Sequence, residues 1–266
     1  MTPLAIDLYC GLGGWTEGLL AEGYRVIGFD IEQHVYGEHR YPAQLVLQDV
    51  LTLHGSQFKD AALIVASPPC QEYSYMAMPW SLAKEKQRRI KADPAEQKRL
   101  TALFDACFRI QREACEAAGH HIPLVVENVR GAQKWVGRAH GRYGSYFLWG
   151  DVSCLMPTSM GRFGDGSKHV GSGPEWFNPN IPTPDKMFGQ RGPSSFWSSS
   201  PQRREWSAKI AKIPPELSTW IAKYFKPTSS PIVSQVSDTS ASQGEQCRSA
   251  GTLTAPRATP AKPPPR

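Results

Sequence analysis

The chain has 266 residues, 40% of them hydrophobic and 20% charged, with a formal net charge of +6 at pH 7. This length allows one sizeable α/β domain with an insertion or a small extra lobe. No apolar run is long enough to cross a membrane, and the first residues lack the basic and apolar regions of a signal peptide. We therefore expect a cytoplasmic protein without a membrane partner. The positive charge fits a nucleic-acid partner but also occurs in proteins that bind none.

Strands alternate with helices along the first 150 residues. The first strand, 3–9, runs into a glycine-rich loop, and Gly23 ends the helix that follows this loop. Such an alternation predicts an α/β fold with a doubly wound, mostly parallel, Rossmann-like sheet whose ligands bind beyond the carboxyl ends of the strands. In chain order, the predicted strands are 3–9, 24–29, 45–48, 63–66, 123–129 and 146–149, and the predicted helices are 15–22, 34–40 and 95–118.

The character of the chain changes after residue 151. Glycine, proline, serine and asparagine dominate residues 152–197, which we interpret as a small irregular lobe. Residues 198–225 return to a helical pattern that is interrupted at Pro214-Pro215, and no aromatic residue follows Phe225. We predict four parts: a catalytic domain (1–151), the small lobe (152–197), a helical return to the catalytic domain (198–225) and a disordered tail (226–266) that can be removed without loss of fold.

Polar residues follow several of the predicted strands. The stretch Asp7-Leu8-Tyr9-Cys10-Gly11-Leu12-Gly13-Gly14 is either a tight structural turn or a loop that lets the backbone approach a ligand. Asp30, at the end of the second strand, either accepts hydrogen bonds from ribose hydroxyls or caps a helix. Asp49 follows the third strand and either binds an adenine amino group or begins a turn.

A cysteine stands at the rigid exit of another buried strand, in Ser67-Pro68-Pro69-Cys70-Gln71-Glu72-Tyr73-Ser74. Cys70 is a nucleophile, a metal ligand or an incidental loop residue. The six cysteines contain no CxxC pair and no zinc-like spacing, so we expect reduced thiols and no metal. Glu127, within a run of valines, is costly to bury unless it is bonded or used, which makes it a candidate partner of Cys70.

Three stretches, taken together and in this order, resemble the signature motifs of the cytosine-C5 DNA methyltransferases: DLYCGLGG (7–14), SPPCQEYS (67–74) and VVENV (125–129). The resemblance covers most of residues 4–150 and, more loosely, 198–225. It implies S-adenosyl-L-methionine as the cofactor and double-stranded DNA as the substrate, with the target cytosine flipped out of the duplex. It also suggests a companion restriction endonuclease, and we expect a monomer that acts in a bacterial or phage-infected cell.

The resemblance assigns a role to each candidate residue. Cys70 would be the nucleophile that attacks C6 of cytosine, and Glu127 would engage N3 and the exocyclic amine. Asp30 would bind the ribose, Ile31 would pack on adenine and Asp49 would hold its amino group. The remaining residues assigned to the cofactor site are Asp7, Leu8, Tyr9, Cys10, Gly11, Leu12, Gly13, Gly14, Val50 and Pro68.

Contacts to DNA are assigned in the same way. Ser74 would contact a phosphate, and Asn128 would orient the Cys70 loop. Residues 75–93, which include Arg88 and Arg89, form either a mobile loop that closes over DNA or a solvated helix face. Within the small lobe, Arg191 is the first candidate for a DNA contact.

One family motif, QxRxR, is not present as such. Residues 141–150 occupy its place, with Arg142 as the candidate for the missing arginine and Arg138 as the runner-up. Besides a DNA methyltransferase, we consider an RNA cytosine-C5 methyltransferase and a catalytically silent DNA-binding member. An oxidoreductase is disfavoured, because the glycine loop lacks the GxGxxG spacing.

Overall fold

The computed structural model describes residues 2–71, 73, 80–152 and 200–227. A seven-stranded sheet with the order β5-β2-β1-β6-β7-β9-β8 lies at its centre, parallel from β5 to β7 and antiparallel at β9 and β8. The predicted α/β fold with a doubly wound, mostly parallel sheet is therefore confirmed. The strands are β1 (Leu4–Leu8), β2 (Arg25–Asp30), β3 (Val35–Tyr36), β4 (His39–Arg40), β5 (Gln44–Leu47), β6 (Ala61–Ala66), β7 (Leu124–Asn128), β8 (Gly141–Tyr143) and β9 (Tyr146–Gly150).

Helices cover both faces of this sheet. They are α1 (Gly14–Ala21), α2 (Trp80–Ala92), α3 (Pro94–Ala118), α4 (Gln133–Val136), α5 (Pro201–Ala211) and α6 (Pro215–Tyr224), and short 3₁₀ turns lie at Val50–Thr52, Gly55–Phe58 and Arg130–Ala132. None of the helices in the described ranges has the length and apolar character needed to span a bilayer.

Side chains alternate between the two faces along each buried strand, which explains why helices cover both faces of the sheet. In β1, Ala5 packs with Trp15 of α1 on one face, whereas Ile6 and Leu8 pack with Phe104 of α3 on the other. A strand that is apolar on both sides is typical of a parallel sheet sandwiched between helices. The two core clusters thus place α1 and α6 on one face of the sheet and α3 on the opposite face.

The long helix α3 begins and ends at well-defined caps. The side chain of Asp93 accepts a hydrogen bond from the backbone of Ala95 at 2.9 Å, and Pro94 occupies the first turn, where its missing N–H costs nothing. Gly119, with φ 73°, ends the helix in the left-handed conformation that favours glycine. These signals explain why the predicted helix 95–118 agrees closely with the observed one.

The predicted helix over residues 34–40 is wrong. The structure has a small hairpin here, in which Val35 pairs with Arg40 and Tyr36 with His39. Gly37 has φ 61° and stands at the first position of the two-residue turn, a place that glycine fills without strain. A glycine in the middle of a short polar segment disfavours a helix, and this turn signal outweighs the weak helical pattern.

The last described helix returns to the sheet and packs on α1. Leu217 and Ile221 of α6 share a core with Trp15 and Leu19, and the hydroxyl of Tyr24 donates to the carbonyl of Ala222 at 3.0 Å. The predicted boundaries of the small lobe and the tail stay predictions, because residues 153–199 and 228–266 lie outside the described ranges.

Candidate active site

The carboxyl ends of β1, β2, β5, β6 and β7 meet at one edge of the sheet. Segments that the sequence singled out follow four of these strands directly, and Glu127 lies within the fifth, one residue before its end. The topology therefore brings together residues that are up to 116 positions apart in the chain, from Gly11 in the glycine loop to Glu127.

The loop between β1 and α1 reverses direction through three residues with positive φ: Tyr9 (58°), Gly11 (50°) and Gly13 (79°). A Cβ on Gly11 would meet no atom within 4 Å, so the backbone there borders open space. A Cβ on Gly13 would instead lie 2.5 Å from the ring of Pro42, and one on Gly14 would overlap the backbone of Ile213. Gly11 leaves room for a ligand, while Gly13 and Gly14 are needed for packing.

Other members of the loop are buried. Leu8 lies wholly in the core, and Cys10 and Leu12 are 6% and 7% exposed. Burial also raises the pKa of the Cys10 thiol, so this cysteine stays protonated at neutral pH. These side chains are therefore largely buried in the core beneath the loop.

Asp30 joins the end of β2 to the glycine loop. One carboxylate oxygen accepts a hydrogen bond from the backbone of Gly11 at 2.9 Å, and the other accepts one from Ile31 at 2.8 Å. Burial opposes ionisation of Asp30, but hydrogen bonds from His34 and from the backbone of Gly11 and Glu32 outweigh it and lower its pKa. An ionised carboxylate thus borders the open space at Gly11, as an acceptor for ribose hydroxyls requires.

The residues next to Asp30 supply apolar surface. Ile31 is 74% exposed. Asp49 caps the 3₁₀ turn Val50–Thr52 by accepting from the backbone of Leu51 at 2.9 Å, and Val50 is buried in the core. Ile31 is therefore available to a flat ring, whereas Val50 supports the turn that carries Asp49.

Cys70 follows β6 in a loop that is fixed to the neighbouring strand. The side-chain amide of Asn128, at the end of β7, donates to the carbonyl of Pro68 at 2.9 Å. Cys70 and Cys115 are half-buried, whereas Cys10 and Cys107 are buried, and Cys115 is engaged with the backbone of Ile122. Of the cysteines that the structure describes, Cys70 alone combines partial exposure with a place at this edge.

Glu127 is only 5% exposed and lies on β7 immediately before Asn128. A carboxyl group in such a position is costly to bury unless other groups stabilise it. The strand that carries Glu127 is thus the same strand that holds the Cys70 loop in place.

The structure separates Arg142 from Glu127 by one strand. Arg142 is exposed on β8 and pairs with Phe147 of β9, which in turn pairs with Asn128 of β7. Two strand spacings of roughly 4.8 Å therefore separate the backbones of Arg142 and Asn128. Arg142 therefore lies on a different strand from Glu127, with β9 between them.

The structure describes some of the residues predicted to contact DNA and leaves others outside the described ranges. Residues 80–92 form helix α2, on which Arg88 and Arg89 are exposed, and their contact with DNA stays a prediction. Arg89 also pairs with Glu96 of α3, with 3.3 Å between the nitrogen and the oxygen. Ser74 and Arg191 lie outside the described residues.

Two groups of side chains that support the site were not predicted from the sequence. Arg109 of α3 donates to the carbonyls of Leu53 (2.8 Å) and Leu51 (3.3 Å), and Glu113 accepts from the backbone of Gly55 at 2.6 Å. This pair clamps the turn after Asp49 to α3. The i,i+4 spacing of Arg109 and Glu113 indicates an ion pair, but no sequence signal indicates the backbone groups they bind.

The second missed group is a buried chain of hydrogen bonds beneath the glycine loop. Thr16 of α1 donates to Asp7 at 2.6 Å, and the hydroxyl groups of Thr16 and Tyr41 lie 2.7 Å apart. The other carboxyl oxygen of Asp7 is buried and has no hydrogen-bond partner among the described residues. Burial raises the pKa of Asp7 to about 8. An aspartate inside the apolar strand LAIDL signals the need for a partner, but the pattern does not show which residue supplies it.

Residues 4–132 match the model of the C-5 cytosine-specific DNA methylase family. The matched segment makes up just under half of the chain. It contains the glycine loop, Asp30, Asp49, Cys70 and Glu127, whereas Arg142 lies beyond it. Among the described residues, no group of three or more histidine, cysteine or acidic side chains could hold a metal ion.

Several solved structures are similar to parts of the chain. One, from an E. coli prophage, is described as a DNA modification methyltransferase; it is 23% identical over 49% of this chain and 33% of its own, with a TM-score of 0.33. The Dnmt2 methyltransferase of S. pombe is 16% identical over 52% of this chain and 37% of its own (TM-score 0.33), and the Entamoeba histolytica methyltransferase EhMeth is 17% identical over 52% and 41% (TM-score 0.34). The chain thus spans less than half the length of these proteins. No curated protein sequence matches it.

Proposed function

We propose that this protein is an S-adenosyl-L-methionine-dependent DNA cytosine-C5 methyltransferase. The observation that carries the proposal is the hydrogen bond from Asn128 to Pro68, because it fixes the Cys70 loop to the strand that bears Glu127. Both lie at the same sheet edge as the loop organised by Asp30. A nucleophile, a buried carboxyl group and a cofactor loop at one edge are the parts that methylation of cytosine C5 requires.

The first step of the proposed reaction is the attack of Cys70 on the cytosine ring. Its thiolate forms a bond to C6 of cytosine, and the electrons of the C5–C6 double bond move toward N3, where a proton must be held. We assign this proton to the buried carboxyl group of Glu127, which would share it with N3. The ring is thereby converted into an enamine with a nucleophilic C5.

S-adenosyl-L-methionine, when bound, supplies the electrophilic methyl group that C5 accepts. A base then removes the C5 proton, and the sulfur of Cys70 leaves C6 with its bonding electrons, while the proton at N3 returns to Glu127. These changes restore the C5–C6 double bond, the aromatic ring and the free thiolate. The Asn128 contact keeps the Cys70 backbone in place through both the addition and the elimination.

The residues present fit this cofactor. Gly11 borders open space, Asp30 offers an ionised carboxylate next to it, and Ile31 is an exposed apolar surface. Asp49 lies on the neighbouring turn, which Arg109 and Glu113 hold against α3. These groups suit a ribose and a purine ring, and we assign them the roles that the sequence motifs imply.

Two basic segments leave the same sheet edge and suit the phosphates of a duplex. Helix α2 follows the Cys70 loop and exposes Arg88 and Arg89. Residues 129–143 follow β7, contain no acidic residue and expose Arg130, Arg138 and Arg142. We propose that these arginines, with Ser74 and Arg191, contact DNA while the target cytosine is flipped into the site.

The proposal extends to the setting in which the protein acts. We propose that it is active as a monomer on double-stranded DNA in the cytoplasm of a bacterial or phage-infected cell, alongside a restriction endonuclease of the same specificity.

Bisulfite sequencing tests the activity and the substrate class together. Purified protein and S-adenosyl-L-methionine are incubated with a plasmid and, separately, with total tRNA, and the Cys70→Ser variant serves as the control. Protection of cytosines in one short DNA context by the wild type alone supports the proposal. Protection of tRNA only would assign an RNA substrate, and protection of neither would indicate a silent binding protein.

A further inference from the structure

Two tyrosines connect the two loops of the site to the same helix. The hydroxyl of Tyr9 donates to the carbonyl of Leu103 at 2.8 Å, and the hydroxyl of Tyr73 donates to the carbonyl of Leu100 at 2.9 Å. Both acceptors belong to α3 and are three residues apart, which is about 4.5 Å along a helix axis. A helix carbonyl has a second lone pair, so it can accept these bonds without losing its own.

Tyr9 holds the entrance of the glycine loop. It is the first residue after β1 and has φ 58°, a conformation that is unfavourable for any residue except glycine. Such strain persists only where the surroundings fix the residue. The bond to Leu103 spans 94 positions of the chain and anchors the side chain of Tyr9, and with it the backbone that leads to Gly11.

Tyr73 holds the far end of the Cys70 loop. Its backbone nitrogen donates to the carbonyl of Cys70 at 3.0 Å, and its side chain is 2% exposed in the core against α3. The near end of the loop is fixed by the bond from Asn128 to Pro68. Cys70 therefore lies between two anchors, one on β7 and one on α3.

We propose that Tyr9 and Tyr73 are positioning residues that brace the cofactor loop and the Cys70 loop on one turn of α3. The proposal rests on the function proposed above and assigns a separate positioning role to each tyrosine. The Tyr9 hydroxyl sets the geometry of cofactor binding, whereas the Tyr73 hydroxyl sets the geometry of the nucleophile. Each hydroxyl can be removed by a phenylalanine substitution that keeps the ring and its packing.

Tyr24 provides a matched control. Its hydroxyl also donates to a helix carbonyl, that of Ala222 at 3.0 Å, but on the opposite face of the sheet and away from both loops. A Tyr24→Phe substitution removes the same kind of bond. Comparison with Tyr24→Phe therefore distinguishes the general effect of removing a buried hydroxyl from the specific effect of releasing one of the two loops.

The test compares Tyr9→Phe, Tyr73→Phe and Tyr24→Phe in the full chain by three measurements. Calorimetric titration with S-adenosyl-L-homocysteine gives cofactor affinity, single-turnover methyl transfer at saturating cofactor gives the chemical step, and mass spectrometry of iodoacetamide-treated protein gives the alkylation rate of Cys70. We expect Tyr9→Phe to weaken cofactor binding about fivefold, the scale of one neutral hydrogen bond. We expect Tyr73→Phe to change the single-turnover rate and the alkylation rate of Cys70 by about fivefold. Its affinity for S-adenosyl-L-homocysteine should not change.

The proposal would be overturned if Tyr24→Phe had effects as large as those of Tyr9→Phe and Tyr73→Phe. It would also be overturned if Tyr73→Phe weakened cofactor binding as much as Tyr9→Phe does, or if neither Tyr9→Phe nor Tyr73→Phe had any effect. The alkylation measurement needs neither DNA nor cofactor. If the wild type transfers no methyl group, the proposed function fails, while the change in Cys70 alkylation still decides whether Tyr73 positions the loop.

Discussion

The side-chain amide of Asn128 lies 2.9 Å from the carbonyl oxygen of Pro68 and so ties the strand of Glu127 to the loop of Cys70. The carbonyl oxygen of the same amide accepts a bond from the backbone of Val129 at 2.8 Å. One buried side chain thus fixes the relative positions of two groups that come from different strands.

Replacement of Asn128 by alanine is expected to uncouple the Cys70 loop from β7. Because small displacements of a reacting group are costly, we expect a loss of roughly 100-fold in turnover. Among the cofactor candidates Asn128 contacts the backbone carbonyl of Pro68, so affinity for S-adenosyl-L-homocysteine, measured by calorimetry, should fall far less than turnover. Equal losses in turnover and cofactor affinity would show that Asn128 supports the whole edge and not the Cys70 loop in particular.

Asp30→Asn is expected to weaken cofactor binding. Hydrogen bonds to a charged carboxylate contribute about 1.5–3 kcal/mol, so binding of S-adenosyl-L-homocysteine should weaken by about tenfold or more. Because the pKa of Asp30 is below its ordinary value, wild-type affinity should not change with the ionisation of this group between pH 6 and 8. The exposed neighbour Glu32 serves as the control, and a Glu32→Gln variant with the same loss would refute the assignment.

Gly18→Ala is expected to destabilise the fold, although alanine in a helix is normally better than glycine by about 1 kcal/mol. A Cβ at this position in α1 would overlap the backbone of Ser218 in α6, and overpacking costs about 1–3 kcal/mol. Chemical denaturation would measure the change, with Leu20→Ala on the exposed side of α1 as a control. A more stable Gly18→Ala protein would contradict the described packing of the two helices.

Asp7→Asn is expected to change how stability depends on pH. Burial raises the pKa of Asp7 from 3.8 to about 8, so the folded state holds a proton that the unfolded state releases above pH 4. The contribution of Asp7 to stability is therefore fully present below about pH 4 and is lost as the pH rises toward 8, by up to about 1.4 kcal/mol per pH unit.

The asparagine variant lacks this titration, so the difference in unfolding free energy between wild type and variant should decrease from pH 4.5 to pH 8 and then level off. Urea denaturation at four pH values measures it. Parallel pH profiles for the two proteins would mean that Asp7 is ionised in the folded state.

The main strands were predictable because their signal is local. Runs such as Ala61–Ala66 are apolar on both faces, which is typical of strands buried between two layers of helices, and the residues after them are polar. The parallel order then follows from the helical connections, and it brings Asp30, Cys70 and Glu127 to one edge. The motif resemblance added their chemical roles.

The contacts that support the site were not predictable, because they join distant positions through single side chains. The Tyr9 bond spans 94 residues and the Asn128 bond 60, and nothing near either residue in the sequence indicates its acceptor. The hairpin at residues 35–40 was missed for a different reason. Its strands have two residues each, too few for a periodic pattern to outweigh the helical tendency of the neighbouring residues.

The central claim is that the sulfur of Cys70 bonds to C6 of cytosine in DNA. It is tested most directly with DNA made with 5-fluorocytosine, because a fluorine at C5 cannot leave as the proton does and the adduct persists after methyl transfer. We predict a covalent protein–DNA complex that needs S-adenosyl-L-methionine, maps to the peptide containing Cys70, is absent in Cys70→Ser and forms far more slowly in Glu127→Gln, which should still bind DNA. An adduct at another cysteine, or methylated DNA with no adduct at Cys70, would contradict the account.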